Sequence, residues 1–127
     1  RLDAEDVEKA KAEHPNALLV VHPECPPEVQ ERADHITSTS GMLRYCKESK
    51  HREFIIGTEE GLLHRLRADS PDKKFYLLSD EMVCPNMKRT RLESVLRAME
   101  KMEYVIKVPE EIRVPAKRAL DRMLEVR

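Results

Sequence analysis

Short apolar runs alternate along the first part of the chain with amphipathic segments. The apolar runs predict strands at residues 17–22, 54–58 and 74–78, and residues 34–38 are a short further strand candidate. The amphipathic segments predict helices at residues 4–13, 26–33, 39–48 and 60–68. A continuous apolar run with β-branched residues is typical of a strand that is buried on both faces. The alternation therefore predicts an α/β fold, a short parallel sheet with helices on both faces.

The last third of the chain has a different pattern. Helical spacing of apolar residues predicts a helix over 90–102, and residues 103–108 form a candidate strand. One or two amphipathic helices over 109–126, interrupted near Pro115, complete the prediction. We therefore expect two parts, an α/β domain over 1–80 and a mostly helical segment over 81–127 that docks on another surface.

Composition limits the function classes. Lysine plus arginine number 23 against 24 aspartate plus glutamate, a formal net charge of -1, so the overall basic charge that usually accompanies nucleic-acid binding is missing. No apolar run approaches the roughly 18 residues of a membrane span. Three cysteines without CxxC spacing argue against a disulfide framework or a self-contained zinc finger. We expect a cytoplasmic protein that binds a small ligand, and its start at Arg1 suggests a fragment.

Polar residues with catalytic potential follow the first predicted strand. His22 and Glu24 stand two positions apart directly after it, where strand-end loops of a parallel sheet face a shared crevice. A histidine there can hydrogen-bond a substrate oxygen, and a carboxylate can transfer protons. An ordinary turn, with Glu24 near the positive end of the next helix, explains the same residues.

Four hydroxyl residues, Thr37 to Ser40, join the second predicted strand to the next helix. Hydroxyls and free amides at a helix N-terminus form a receptor for a carboxylate or phosphate. Helix capping by a single hydroxyl is the alternative, although it needs only one of the four.

The three cysteines differ in their surroundings. Cys84 lies in a proline-flanked loop, where it could be a metal ligand, a nucleophile or neither. Cys46 falls on the apolar face of its helix and is predicted to be structural. Cys25 remains ambiguous.

Ordered motifs resemble the quinolinate synthase family. They are 21–29 (VHPECPPEV), 38–40 (STS), 54–59 (FIIGTE), 61–66 (GLLHRL) and 82–88 (MVCPNMK). The resemblance continues to the end of the chain and identifies it as the C-terminal portion of a longer enzyme.

This resemblance implies an activity. The family condenses iminoaspartate with dihydroxyacetone phosphate to quinolinate in NAD biosynthesis. Its fold has three similar α/β domains and a 4Fe-4S cluster held by three cysteines, of which Cys84 matches the last. By motif, His22 and Glu24 would face the substrate, with Glu24 as acid/base, while Ser38 and Thr39 would hold a carboxylate or phosphate.

Length is the chief departure from the family pattern. The N-terminal part that would carry the other two cluster ligands has no counterpart here, so the chain alone is expected to be inactive. Two alternatives remain open. One is a zinc module that uses Cys25, Cys84 and His22, and the other is a helical interaction module.

Overall fold

The structure, a computed structural model, describes residues 2–126; the first residue of the predicted domain 1–80 and the last of the segment 81–127 lie outside it. The strands are β1 Leu18–Val21, β2 His35–Ile36, β3 Glu53–Gly57 and β4 Lys74–Leu77. The helices are α1 Ala4–Glu13, α2 Pro27–Gln30, α3 Thr39–Glu48, α4 Leu62–Asp69, α5 Leu92–Lys101 and α6 Glu110–Glu125. Two compact units meet in sequence between Pro85 and Asn86, a few residues after the predicted boundary.

The first unit contains a four-stranded parallel sheet in the order β2-β1-β3-β4. This confirms the predicted α/β class and each of the four strands. In register, Val21 of β1 lies opposite Ile36 of β2 on one side and Gly57 of β3 on the other. All strands therefore end at the same edge of the sheet.

Both faces of the sheet are covered. Leu19, Val21 and Ile55 belong to a core cluster on one face, together with α1 and α2 residues such as Val7 and Val29. Alternate strand residues belong to a second cluster with α3 and α4: Val20, Phe54, Ile56, Met42, Cys46 and Leu66. Two-sided burial explains why the central strands β1 and β3 are almost continuously apolar. Cys46 is fully buried, which confirms it as a core residue.

Asp34 joins α1 to the sheet. Its carboxylate accepts the Leu19 amide at 2.7 Å and the Lys11 ammonium at 2.5 Å. Burial raises the pKa of Asp34, but the hydrogen bonds from Lys11 and Leu19 outweigh it, so the net pKa lies below the ordinary value. The α1 helix itself begins with a capping box at Asp3.

The second unit consists of α5 and α6, preceded by a short 3₁₀ turn at Met87–Arg89. The predicted strand over 103–108 is wrong, because the structure has neither a helix nor a strand between α5 and α6. The last helix is continuous, with Pro115 inside it, rather than two helices. Within residues 2–126, no helix is both long and apolar enough to cross a membrane.

Candidate functional site

The chain order of the sheet identifies where a ligand would bind. The connection after β1 leads to β2 on one side, whereas the connection after β3 leads to β4 on the other. A crevice opens at such a switch point, beyond the carboxyl ends of the two strands. His22 follows β1 and Thr58 follows β3 at this position, and Thr37 follows β2 next to them.

His22 is held in place by its backbone. Its amide donates to the Gly57 carbonyl at 3.0 Å and its carbonyl accepts the Cys25 amide at 3.0 Å. The imidazole is 23% exposed, so one edge of the ring is accessible. The structure therefore places His22 at the edge that sequence reasoning predicted.

The Glu24 backbone indicates which nitrogen of His22 carries the proton. The Glu24 amide donates to His22 Nδ1 at 3.3 Å, so in the neutral ring Nδ1 is an acceptor and the proton is on Nε2. Glu24 Oε2 lies 3.6 Å from the same Nδ1, and its side chain is 90% exposed. The pair thus combines a histidine that can donate from Nε2 with a solvated carboxylate.

Ser38 and Thr39 begin α3 beside this turn. Ser38 is the N-cap, and its hydroxyl accepts the Gly41 amide at 3.3 Å. Thr39, the first helical residue, is exposed, as is Ser38. Capping by Ser38, the alternative explanation, is therefore present, and the first amides of the helix have no intrahelical acceptor. A cap and an anion receptor are compatible at one helix N-terminus.

Cys84 lies in a loop that is tied to the end of β3. The Glu60 amide, after β3, donates to the Met82 carbonyl at 2.9 Å, and Met82 packs on the first core cluster. Cys84 itself is a free, partly exposed thiol. A partly exposed loop thiol fits one ligand position of a metal cluster.

The alternative zinc site is not formed in this structure. Among residues 2–126, no three His, Cys, Asp or Glu side chains are grouped so that they could hold a metal ion. Cys25 is buried and its thiol donates to the Gly57 carbonyl at 3.3 Å. Burial also raises the pKa of the Cys25 thiol, which opposes the thiolate that zinc needs. Cys46 is buried as well, whereas Cys84 is partly exposed.

Concave regions lie elsewhere on the first unit. A cavity of about 920 Å³ runs between α4 and β4, lined in part by His14, His64 and Tyr76. Another of about 470 Å³ lies between α1 and the end of β4. His22, Glu24 and Ser38 line neither of these two cavities.

Sequence reasoning missed two residues that shape the site. A Cβ on Gly57 would lie 2.7 Å from Val21 Cγ1, so glycine permits the close approach of β1 and β3 here. Gln30 donates from Nε2 to the carbonyls of Pro23 at 3.0 Å and Cys25 at 2.6 Å, which clamps the His22 turn. A glycine that ends an apolar strand was a detectable pattern; the Gln30 contact was not.

Comparison with known proteins decides the family. The family model described as Quinolinate synthetase A protein matches residues 1–125. The chain belongs to the quinolinate synthetase A family. A quinolinate synthase of Thermodesulfovibrio yellowstonii is 58% identical over 120 residues, which cover 94% of this chain and 40% of that protein. The resemblance inferred from the motifs is thereby confirmed.

Other members of the quinolinate synthetase A family agree. A quinolinate synthase of Geotalea uraniireducens is 55% identical over 126 residues, covering 99% of this chain and 41% of the relative. Quinolinate synthase 1 of Methanosarcina acetivorans is 54% identical over 97% of the chain and 40% of its own length. The chain thus spans about 40% of the length of these relatives, which agrees with a portion of a longer protein.

Proposed function

We propose that this chain supplies part of the active site of a quinolinate synthase. The reaction condenses iminoaspartate with dihydroxyacetone phosphate and releases phosphate and water, giving quinolinate for NAD biosynthesis. One observation carries the proposal. His22 with Glu24 follows β1 at the switch point of the sheet, and Ser38 with Thr39 follows the adjacent parallel strand β2, in a chain whose residues 1–125 match the family.

His22 and Glu24 are the proposed acid/base pair. The Nε2 proton of His22 donates to a substrate oxygen, because Nδ1 is already an acceptor for the Glu24 amide. The exposed Glu24 carboxylate removes and returns protons during condensation and loss of water. Its exposure here leaves it free to reorient toward a substrate.

Ser38 and Thr39 are the proposed anion-binding pair. A carboxylate or phosphate accepts hydrogen bonds from the Thr39 hydroxyl and from the first amides of α3, with the helix dipole favouring the negative charge. The substrates of the proposed reaction carry both kinds of anion.

Cys84 is the proposed ligand that this chain contributes to a 4Fe-4S cluster. Its loop position and partial exposure support that assignment, and the remaining ligands would come from the rest of the longer protein. Such a cluster with one open iron supplies a Lewis acid for a substrate oxygen when it is bound.

The rest of the longer protein is also the proposed partner of the second unit. Leu92, Val95, Leu96 and Met99 form one apolar face of α5, and Leu92 is 85% exposed. An apolar face of this kind normally packs against another surface. The proposal therefore keeps the helical interaction role for the second unit. We assign its binding partner to the part of the family fold that lies outside this chain.

The decisive experiment uses a chimera that joins residues 1–127 to the remaining portion of the T. yellowstonii relative. We expect anaerobic reconstitution to give a stable cluster absorption and turnover in the chimera, and neither in residues 1–127 alone. In the chimera, Glu24→Gln should lower kcat by about 10²- to 10⁴-fold, whereas the exposed control Glu28→Gln should not.

A matched pair of cysteine variants tests the cluster assignment. Cys84→Ala should abolish the cluster absorption, while Cys46→Ala, in the second core cluster, should retain it. Turnover by the 127-residue chain alone, or an intact cluster in Cys84→Ala, would refute the proposal.

A further inference from the structure

The Cys25 thiol donates a hydrogen bond to a backbone carbonyl. A cysteine that acts as a metal ligand or as a nucleophile would not need this contact. The side chain is 8% exposed and belongs to the first core cluster, yet Sγ points at the Gly57 carbonyl at 3.3 Å. That carbonyl also accepts the His22 amide at 3.0 Å. One oxygen with two lone pairs therefore binds both the thiol and the backbone of the candidate acid/base residue.

Further hydrogen bonds connect Cys25 to the other residues of the His22 turn. The Cys25 amide donates to the His22 carbonyl at 3.0 Å, so Cys25 is bonded to His22 directly as well as through Gly57. Gln30 holds the carbonyls of Pro23 and Cys25 from the other side. The His22 backbone thus depends on the end of β3 for its position, and the Cys25 thiol is the side-chain link between them.

We propose that Cys25 is a positioning residue, whose thiol fixes the His22 backbone against the Gly57 carbonyl at the switch point. The role rests on the proposed function of His22. It requires the protonated thiol as donor, and burial, which raises the thiol pKa, favours that form. It also explains why a sulfur atom points at a backbone carbonyl inside an apolar cluster.

The first test measures hydrogen exchange of the His22 amide in the 127-residue chain by NMR. Cys25→Ala removes the donor, and we expect the His22 amide to exchange about fivefold to tenfold faster, the change expected from losing one hydrogen bond. Cys25→Ser restores a donor and should return the rate to within about twofold of wild type. The Leu78 amide, bonded to the Ile56 carbonyl across β3 and β4, should not change in either variant.

Cys46→Ala is the matched control. Cys46 is also a buried core residue, but it packs on the opposite face of the sheet, so the same deletion should lower overall stability and leave the His22 amide rate unchanged. If Cys25→Ala does not fold, Cys25→Val replaces it, because valine fills the pocket without a donor. Equal His22 rates in wild type and the donor-free variant, or an equal change in Cys46→Ala, overturn the proposal.

Kinetics in the chimera described above separate this inference from the function it rests on. We expect Cys25→Ala to lower kcat with little change in KM, and Cys25→Ser to rescue it, while Cys46→Ala changes neither. An inactive wild-type chimera would refute the proposed function and leave the exchange result to decide whether Cys25 positions His22. Normal kcat in Cys25→Ala, in an active chimera, overturns the positioning role.

Discussion

Lys73 should be one of the most important charged side chains for the stability of the first unit. Its ammonium donates to the carbonyls of Cys46, Lys47 and Ser49, at 2.5, 3.2 and 2.7 Å. These carbonyls stand at the C-terminal end of α3, where a helix has acceptors without intrahelical partners and a negative dipole end. The opposite end of α3 carries Ser38 and Thr39, so this contact also supports the candidate site.

We expect Lys73→Met to lower the free energy of unfolding by about 2 kcal/mol. Hydrogen bonds to a charged group contribute about 1.5 kcal/mol or more each, but water can reach these carbonyls and replaces part of the loss. Methionine keeps the apolar stem, so packing is preserved. Lys74→Met is the matched control, because its pair with Glu53 at 3.0 Å is exposed to solvent and should contribute much less to stability.

Urea unfolding followed by NMR signals of β3 amides measures this change within the first unit. The urea midpoint should fall in Lys73→Met without a change in the slope, and only slightly in Lys74→Met. If the two variants lose the same stability, the three hydrogen bonds from Lys73 to carbonyls contribute no more than the exposed ion pair of Lys74, and the prediction is wrong.

Three further predictions follow from the first unit. Gly57→Ala should lower stability by about 1–3 kcal/mol because its Cβ would meet Val21, whereas Gly61→Ala, at an ordinary helical φ of -58°, should stay within about 0.5 kcal/mol; equal urea midpoints would contradict this. The lowered pKa of Asp34 means that its contribution is present above the unfolded value of about 3.9 and is lost as pH falls through the folded pKa. Urea midpoints of Asp34→Asn should therefore vary less with acid pH than those of wild type, and parallel curves would count against it. Burial raises the pKa of Cys46 to about 11 and also raises that of Cys25, so a thiol alkylating reagent at pH 8 should modify only Cys84 in the folded chain, as judged by mass spectrometry; rapid modification of a second cysteine would disprove it.

The amino-acid sequence by itself determined the helices and strands of the first unit. It also determined the edge of the sheet at which the candidate site residues lie. The central strands β1 and β3 are buried on both faces and are apolar at nearly every position, so their sequences identified them without any knowledge of the neighbours. Parallel strands end at one edge of a sheet, so the sequence alone predicts that His22, Glu24, Ser38 and Thr39 lie along the same edge. The motifs, in their order, were also enough to indicate the family that the comparisons confirmed.

Only the tertiary structure decided which strands are neighbours and how the His22 turn is held. The order β2-β1-β3-β4, and with it the switch point, depends on packing between residues far apart in sequence. The role of Cys25 depends on a carbonyl 32 residues away, and local pattern carries no information about such a contact. For the same reason the candidate strand over 103–108 failed: an apolar run becomes a strand only where a partner supplies its hydrogen bonds.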